Sequence, residues 1–341
     1  MTLLDGEATV LGGSFALGQE NIVPNQKQLP IETPNRATLE ITLERSGRRI
    51  FEIQGSTIPA SWRLAADALE QLQEGRVIII GPPDVGKSTL CVFLVNRLLQ
   101  KGQKVRIIDA DVGQAVLGPP TTIARATPTR PITSLQDMSP DRILFIGDIS
   151  PNTVQQAIIR GIQRLTTNDH GLLTIINTDG WVADLNATMY KIELMKRLNP
   201  KLVLGLSYAN ELDSIMRGVR LQSMKVNVSR EILERTRIDR KRIRAEGYRR
   251  FLEGAVDHRV DLRRIRFPFL RSRVHETPWS SSVRNLIVGL LDCESYLFNI
   301  GILTGVYGQT ATIYSRETKA FERIEVGRVK LSGSGREIGF L

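Results

Sequence analysis

The sequence predicts an α/β protein: a mostly parallel sheet with helices on both faces, plus a small N-terminal β element and a small C-terminal β domain. Three observations predict it. A short apolar run at residues 76–80 leads into a glycine-rich loop and then a helix-like segment starting at Lys87. Further buried-strand runs alternate with helical periods up to about residue 206, the order that produces parallel strands joined by crossover helices. Beyond Pro278 the pattern becomes glycine-rich and mostly strand-like.

The elements follow in order. Residues 1–35 carry Gly12, Gly13, Gly18, Pro24, Pro30 and Pro34 and read as an irregular arm. Alternating runs at 38–43 and 49–54 flank Ser46-Gly47 and predict a β-hairpin. Leu64, Ala65, Ala68, Leu69 and Leu72 repeat at helical spacing over 61–74, stopped by Gly75. Then come a strand (76–80), a glycine-rich loop (81–86), a helix (87–101) stopped by Gly102, and a strand (104–108). Strands at 143–146, 172–177 and 202–206 alternate with helices, notably at 152–165 and 185–198. Residues 229–254 are helical by composition with little apolar face. A helix-like run at 280–290 precedes strand patterns at 300–314 and 324–331. The organisation expected is an N-terminal arm with its β element (1–60), a large α/β domain (61–275) whose basic segment lies near 229–254, and a small C-terminal β-rich domain (276–341).

With 341 residues and 41% apolar content, the chain can bury a sizeable core. Its longest apolar runs, 77–80 and 91–95, are far shorter than the roughly 20 residues that span a bilayer, so no membrane partner is expected. Asp5 and Glu7 stand where a signal peptide needs positive charge, and the protein is expected to be cytoplasmic. Cys91 and Cys293 each sit in an apolar, helix-like stretch and read as buried small hydrophobes. Three histidines without ligand spacing make no zinc site. The net charge of +10 favours a polyanionic partner. Half of it comes from residues 230–250, where nine basic side chains face four acidic ones, an excess of five.

Gly81-Pro82-Pro83-Asp84-Val85-Gly86-Lys87-Ser88-Thr89 fits G-x-x-x-x-G-K-[ST] between a strand and a helix, which is the context the motif needs. The two glycines let backbone amides turn toward phosphates, and the helix N-terminus adds its positive end. Lys87 reaches the β- and γ-phosphates, and the Ser88 hydroxyl ligates Mg²⁺. The fold is therefore P-loop NTPase-like and the ligand Mg-ATP, with GTP as the alternative nucleotide.

Asp109 and Asp111 follow the second strand at i and i+2, at the sheet edge where the phosphate loop also opens. One is placed for Mg²⁺ or its water, the other to accept a proton from an attacking hydroxyl. Asp148 ends the next strand as another acid, or caps the following helix together with Ser150. Thr178-Asp179-Gly180-Trp181 ends a fourth strand; Trp181 either stacks on a base or plugs the core. The arginine-rich stretch is a solvated helix face, or a mobile cationic segment closing over a transferring phosphate. Arg240 and Arg244, at i and i+4, point the same way on a helix.

Together these motifs, with Asp-Ala-Asp-Val-Gly-Gln (109–114) and Asn-Thr-Asp-Gly-Trp-Val (177–182), resemble the polynucleotide 5′-hydroxyl kinase family over residues 76–254. These are RNA kinases related to the kinase subunit of the pre-mRNA cleavage machinery and to the ribosomal-RNA-processing kinase. The resemblance implies that Lys87, Ser88 and Thr89 hold ATP phosphates and Mg²⁺, and that Asp111 is the general base. It implies that Asp109 and Gln114 support the metal and water network. Thr178, Gly180 and Trp181 would form a clasp in which Trp181 stacks on the terminal base, and Arg240 and Arg244 an R-x-x-x-R lid pair. The implied reaction moves the ATP γ-phosphoryl group to the 5′-hydroxyl of RNA, with DNA as the alternative acceptor. Two other classes stay open: an ATP-binding assembly protein without turnover, and a P-loop kinase or NTPase acting on a substrate other than nucleic acid. Protein partners are not identified by the sequence.

Overall fold

A computed structural model describes residues 1–20, 23, 28–43, 50–167, 169, 171–269, 282–316 and 321–341. In chain order the elements are β1 (Thr2–Asp5), β2 (Thr9–Val10), β3 (Gly13–Ser14), β4 (Ile31–Glu32), β5 (Thr38–Glu40), α1 (Ala60–Glu70), β6 (Gly75–Ile80), α2 (Lys87–Gln100) and β7 (Val105–Ala110). They continue with β8 (Thr122–Ala126), β9 (Arg142–Phe145), α3 (Pro151–Leu165), β10 (Leu173–Thr178), α4 (Leu185–Leu198), β11 (Leu202–Leu206), α5 (Asp213–Arg217), β12 (Ser223–Val226) and α6 (Arg237–Leu252). The chain ends with β13 (Val256–Asp261), β14 (Ile265–Arg266), β15 (Leu286–Leu291), β16 (Leu297–Tyr307), β17 (Thr310–Ser315), β18 (Arg323–Leu331) and β19 (Glu337–Phe340). These elements form two compact units, each of three chain segments. One holds Met1–Ile107, Thr127–Met138 and Asn168–Glu234; the other holds Ile108–Ala126, Ser139–Thr167 and Arg235–Leu341.

In the first unit the sheet runs β12-β11-β6-β10-β7, and β12, β11, β6 and β10 are mutually parallel. Val77–Ile80 and every residue of β10 are buried, as strands covered on both faces must be. Helix α1 buries Trp62, Ala65, Ala66 and Leu69 on one stripe. Helix α2 begins directly at Lys87 because Gly86, at φ +92°, can take the left-handed turn that a side chain resists. Buried Asn96 of α2 ties down the N-terminal arm. It donates to the carbonyls of Val10, Leu11 and Ile132 and accepts from the Ile132 amide at 2.9 Å.

The arm differs from the hairpin expected at 38–54. Strand β5 pairs antiparallel with β1 instead, with Leu3 opposite Leu39. Residues 50–54 form no strand, and 44–49 lie outside the described residues. Pairing with β1 accompanies a fully buried Leu3, whereas Ile50 and Phe51 are 65% and 67% exposed and offer the hairpin no apolar face.

In the second unit the end of β7 adjoins β8, and β8 pairs antiparallel with β9. Strand β9 is thus the expected 143–146 strand with a direction that needs no crossover helix. The C-terminal sheet has the order β13-β17-β16-β15-β18-β14, with β19 on β18; all described pairs are antiparallel except β14 with β18. Its central strand, β15, corrects the helix expected at 280–290. The run Leu-Ile-Val-Gly-Leu-Leu is buried throughout. Alternate residues feed two clusters: Leu286, Val288 and Leu290 in one, Ile287 and Leu291 in the other with Tyr248 and Leu252 of α6. A short continuous apolar run fits helix or strand equally, and only tertiary pairing decides. Cys293 is corrected as well: it stands exposed in the turn after β15, while Cys91 is buried in α2. No described helix is long and apolar enough to cross a membrane.

Candidate active site

The first unit carries the loop Gly81–Gly86 at the C-terminal end of β6. Gly81 is required by contact, since a β-carbon there would stand 2.4 Å from the Leu206 carbonyl oxygen. Lys87 is only 7% exposed, with its ammonium donating to the carbonyls of Gly81 (2.9 Å) and Pro82 (2.7 Å). The lysine charge is thereby positioned at the loop before any phosphate arrives. The Ser88 hydroxyl accepts from Asn177 Nδ2 at 3.2 Å, and Asn177 is buried at the end of β10. Sequence reasoning assigns Asn177 no role of its own. The signal that could have found it is a polar amide inside the apolar strand Leu173–Thr178, which a buried strand tolerates only with partners.

Behind the cradle, Thr178 Oγ1 donates to the Ile79 carbonyl (2.8 Å) and locks β10 to β6. Gly180 runs against Pro83 so closely that a β-carbon would lie 2.7 Å from the Pro83 nitrogen. Trp181 is partly exposed. Its ring stacks on Tyr190 (centroids 5.9 Å apart, 26° between planes), and its indole N–H donates to Asp184 at 2.7 Å. Asp184 also caps α4 through the Ala187 amide. That backbone bond first, and then the Trp181 bond, hold its carboxyl below the ordinary value. Asp179 anchors the turn: its carboxylate meets Lys191 Nζ at 2.9 Å and Tyr190 OH at 3.0 Å, with both charged side chains almost completely buried. The sequence reading does not single out Lys191; the signal that could have found it is its place on the same helical stripe as Ala187, Tyr190, Leu194 and Leu198.

The second unit holds the acids and the arginines. Asp109 is fully buried, and its Oδ2 accepts from the amides of Val116 and Leu117, closing the loop between them. Asp111 is partly exposed, with Oδ1 held by the amides of Gly113 (3.2 Å) and Gln114 (2.9 Å). The Gln114 side-chain oxygen is buried, with no hydrogen-bond partner among the described residues. Thr121 splices this loop to the end of β9: its amide donates to the Val112 carbonyl, and its own carbonyl accepts from Ile146 and Gly147. It does so at φ +77°, a strained conformation for a β-branched residue.

Asp148 is engaged on both oxygens, by the Ser150 amide (3.1 Å), the Thr153 hydroxyl (2.7 Å) and the Arg328 guanidinium (3.1 Å). Its contacts tie the turn ahead of α3 to Arg328, and Ser150 makes no side-chain cap on α3. Helix α6 opens with a capping box between Thr236 and Asp239. Arg240 and Arg244 share one of its faces. Arg244 forms a bidentate pair with Glu337, the two side chains 11% and 4% exposed. Burial opposes the Arg244 charge, but Glu337, helped more weakly by Tyr248 and Asp111, outweighs burial and raises its pKa. Arg244 and Asp111 are thus within electrostatic reach of each other. Glu337 lies 93 positions from Arg244, and no local pattern announces it.

A parallel sheet whose strand leads through G-x-x-x-x-G-K-[ST] into a helix, with Lys87 and Ser88 held as described, defines a P-loop nucleotide-binding protein. The chain belongs to the family described as mRNA cleavage and polyadenylation factor CLP1 P-loop, whose model matches residues 81–254. It is 26% identical to a polyribonucleotide 5′-hydroxyl-kinase of Pyrococcus horikoshii, over 83% of this chain and 94% of that one. It is also 26% identical to a polyribonucleotide 5′-hydroxyl-kinase of Methanocaldococcus jannaschii, over 78% and 90%. A CLP1 homologue of Nematostella vectensis matches at 27% over 56% of this chain and 48% of its own length. In fold, the chain is similar to Clp1p in a wild-type Clp1p–Pcf11p complex, with a TM-score of 0.70, 14% identity, and 96% of this chain and 92% of that chain covered.

Proposed function

We propose that this chain is an ATP-dependent polyribonucleotide 5′-hydroxyl kinase. The observations that support the reading are an intact phosphate cradle in the first unit and, within the second unit, an Asp111 oriented by two amides and within electrostatic reach of Arg244. Archaeal relatives that bear this name match over nearly their whole length. In the proposed reaction Asp111 takes the proton of the RNA 5′-hydroxyl. That oxygen attacks the γ-phosphorus as the bond to the β–γ bridging oxygen breaks, giving 5′-phosphorylated RNA and ADP. Lys87 and the amides of residues 81–89 hold the nucleotide phosphates. Arg244, and Arg240 on the same helix face, supply charge for the transferring group. Trp181, fixed at one edge by Asp184 and on one face by Tyr190, is a pre-oriented surface for the terminal base.

The residues also fit Mg²⁺. In the first unit Ser88 is a hydroxyl oriented by Asn177 and suited to the ion's shell. In the second unit the buried Gln114 oxygen, with no hydrogen-bond partner among the described residues, is an acceptor of the kind that takes a water. Bound Mg²⁺ supplies charge neutralisation at the phosphates. Asp109 enters this assignment with one oxygen already given to the loop amides. A second, partner-binding role is motivated by the Clp1p–Pcf11p complex that the fold matches.

The test is transfer of label from γ-labelled ATP to matched 5′-hydroxyl RNA and DNA oligonucleotides. Lys87→Ala and Asp111→Asn are each expected to lose about 100-fold or more of the rate, the scale of a general base or a charge clamp. Undiminished transfer by either variant would overturn the assignment of that residue. Absence of transfer by the wild type, with ATP still bound, would favour the partner-binding role.

A further inference from the structure

The C-terminal sheet of the second unit has a face that its core does not use. Along β13, β17 and β16, Val260, Ala311, Ile313 and Leu303 enter an apolar cluster. The alternate positions turn outward, with Arg259 opposite Thr312 and Thr312 opposite Gly305. Together with Asp257, Arg284 and Tyr307 they line an open cleft of about 480 Å³.

Tyr307 is 72% exposed, and a β-carbon on Gly305 would stand 2.7 Å from its ring. The outer end of the ring therefore rests on the glycine backbone, leaving a large aromatic surface facing water. Arg259 and Arg284 beside it are exposed and have no ion-pair partner among the described residues. The acids of this face are Asp257, which accepts from Thr304 Oγ1 at 3.4 Å, and Asp261, which is paired with Arg263. A solvated sheet face accounts for scattered charge. It does not account for a bare ring supported on a glycine in the same cleft as two guanidinium groups without an ion-pair partner among the described residues.

We propose that this face binds single-stranded RNA, stacking a base on Tyr307 and placing phosphates against Arg259 and Arg284, with Asp257 as an acceptor for base or ribose donors. The inference rests on the polyribonucleotide-kinase reading and adds a second contact region for the same substrate, made of residues with no part in the proposed chemistry.

The experiment uses the full chain and a fluorescent, 5′-phosphorylated single-stranded RNA of about 20 nucleotides, which binds without reacting. Anisotropy is followed across about 50–200 mM salt. Tyr307→Ala should weaken binding roughly tenfold, and Tyr307→Phe should restore it, since stacking needs the ring and not the hydroxyl. Arg259→Ala/Arg284→Ala should flatten the plot of log affinity against log salt by about 1.4, two phosphates at ~0.7 each. Transfer of label to a 5′-hydroxyl dinucleotide should stay at the wild-type rate in all three. Unchanged affinity and slope overturn the proposal and leave the kinase reading intact. Loss of binding to polyglutamate but not to RNA also overturns it, marking a protein-binding face instead. Should the wild type fail to label RNA, the kinase reading falls, and the binding comparison still decides this face.

Discussion

Glu337 receives both arms of the Arg244 guanidinium in a nearly dry setting, so a single carboxylate fixes the direction of a proposed active-site charge. Removing one partner of a buried pair leaves the other uncompensated. Glu337→Ala should therefore cost about 3–5 kcal/mol of stability in urea denaturation and lower kcat more than it alters the KM for ATP. A stable variant with wild-type kcat would show that Arg244 works without it. Tyr248 gives a contrasting case. Its hydroxyl is buried, with no hydrogen-bond partner among the described residues, and burial pushes its pKa well up. Tyr248→Phe should be neutral or stabilising by up to about 1–3 kcal/mol, and a lowered Tm would mean that the hydroxyl is satisfied after all. At this scale the sequence was legible where a motif fixed the residue, as at Lys87 and Ser88, and it held an unused signal where a polar residue broke an apolar period, as at Lys191 and Asn177. It was silent where partners lie far apart, as for Arg244 with Glu337 and Asp148 with Arg328.

Elements were legible where period and punctuation agreed: β6, α2, β10, α4 and β11 follow from apolar runs and helical periods, with the glycine loop ahead of α2 and the Gly102 stop after it. They were not legible where the deciding contact was distant. Strand β15 is read as helix because its partners, β16 and β18, are invisible to local pattern, and β5 pairs with a β1 that lies far back along the chain. Helix α6 is uneven along its length. Its second half is seated by buried Tyr248 and Leu252, by Gly247 against Pro120, and by Gly335 against Ala245, whereas Ile238 near its start is 78% exposed. Tyr248→Ala should cost about 3–5 kcal/mol and Ile238→Ala less than about 0.5, as chemical denaturation would read. The starts of α4 and α6 also depend on acid caps. Asp184 is held below the ordinary value by the Ala187 amide and Trp181, and Asp239 by Thr236. Because their folded pKa values are depressed, both caps contribute fully above about pH 4 and are lost as pH falls through the folded values. Stability measured between about pH 5 and 8 should not register these two groups.

For the whole molecule, composition was informative about partners and poor about assembly. The net charge of +10 agrees with a polyanionic substrate, and its concentration at residues 230–250 singles out α6 from composition alone. The grouping into two units of three interleaved segments has no signature in a linear reading, because it depends on which strands find each other. One contact within the first unit carries a thermodynamic consequence. The backbone at Gly180, just ahead of Trp181, abuts the backbone of Pro83 in the phosphate loop, so neither can shift alone. If the two loops receive the two substrates, their binding free energies are linked. Whatever factor ATP imposes on RNA affinity, RNA must return to ATP, and a methyl group added at residue 180 would change both by the same ratio.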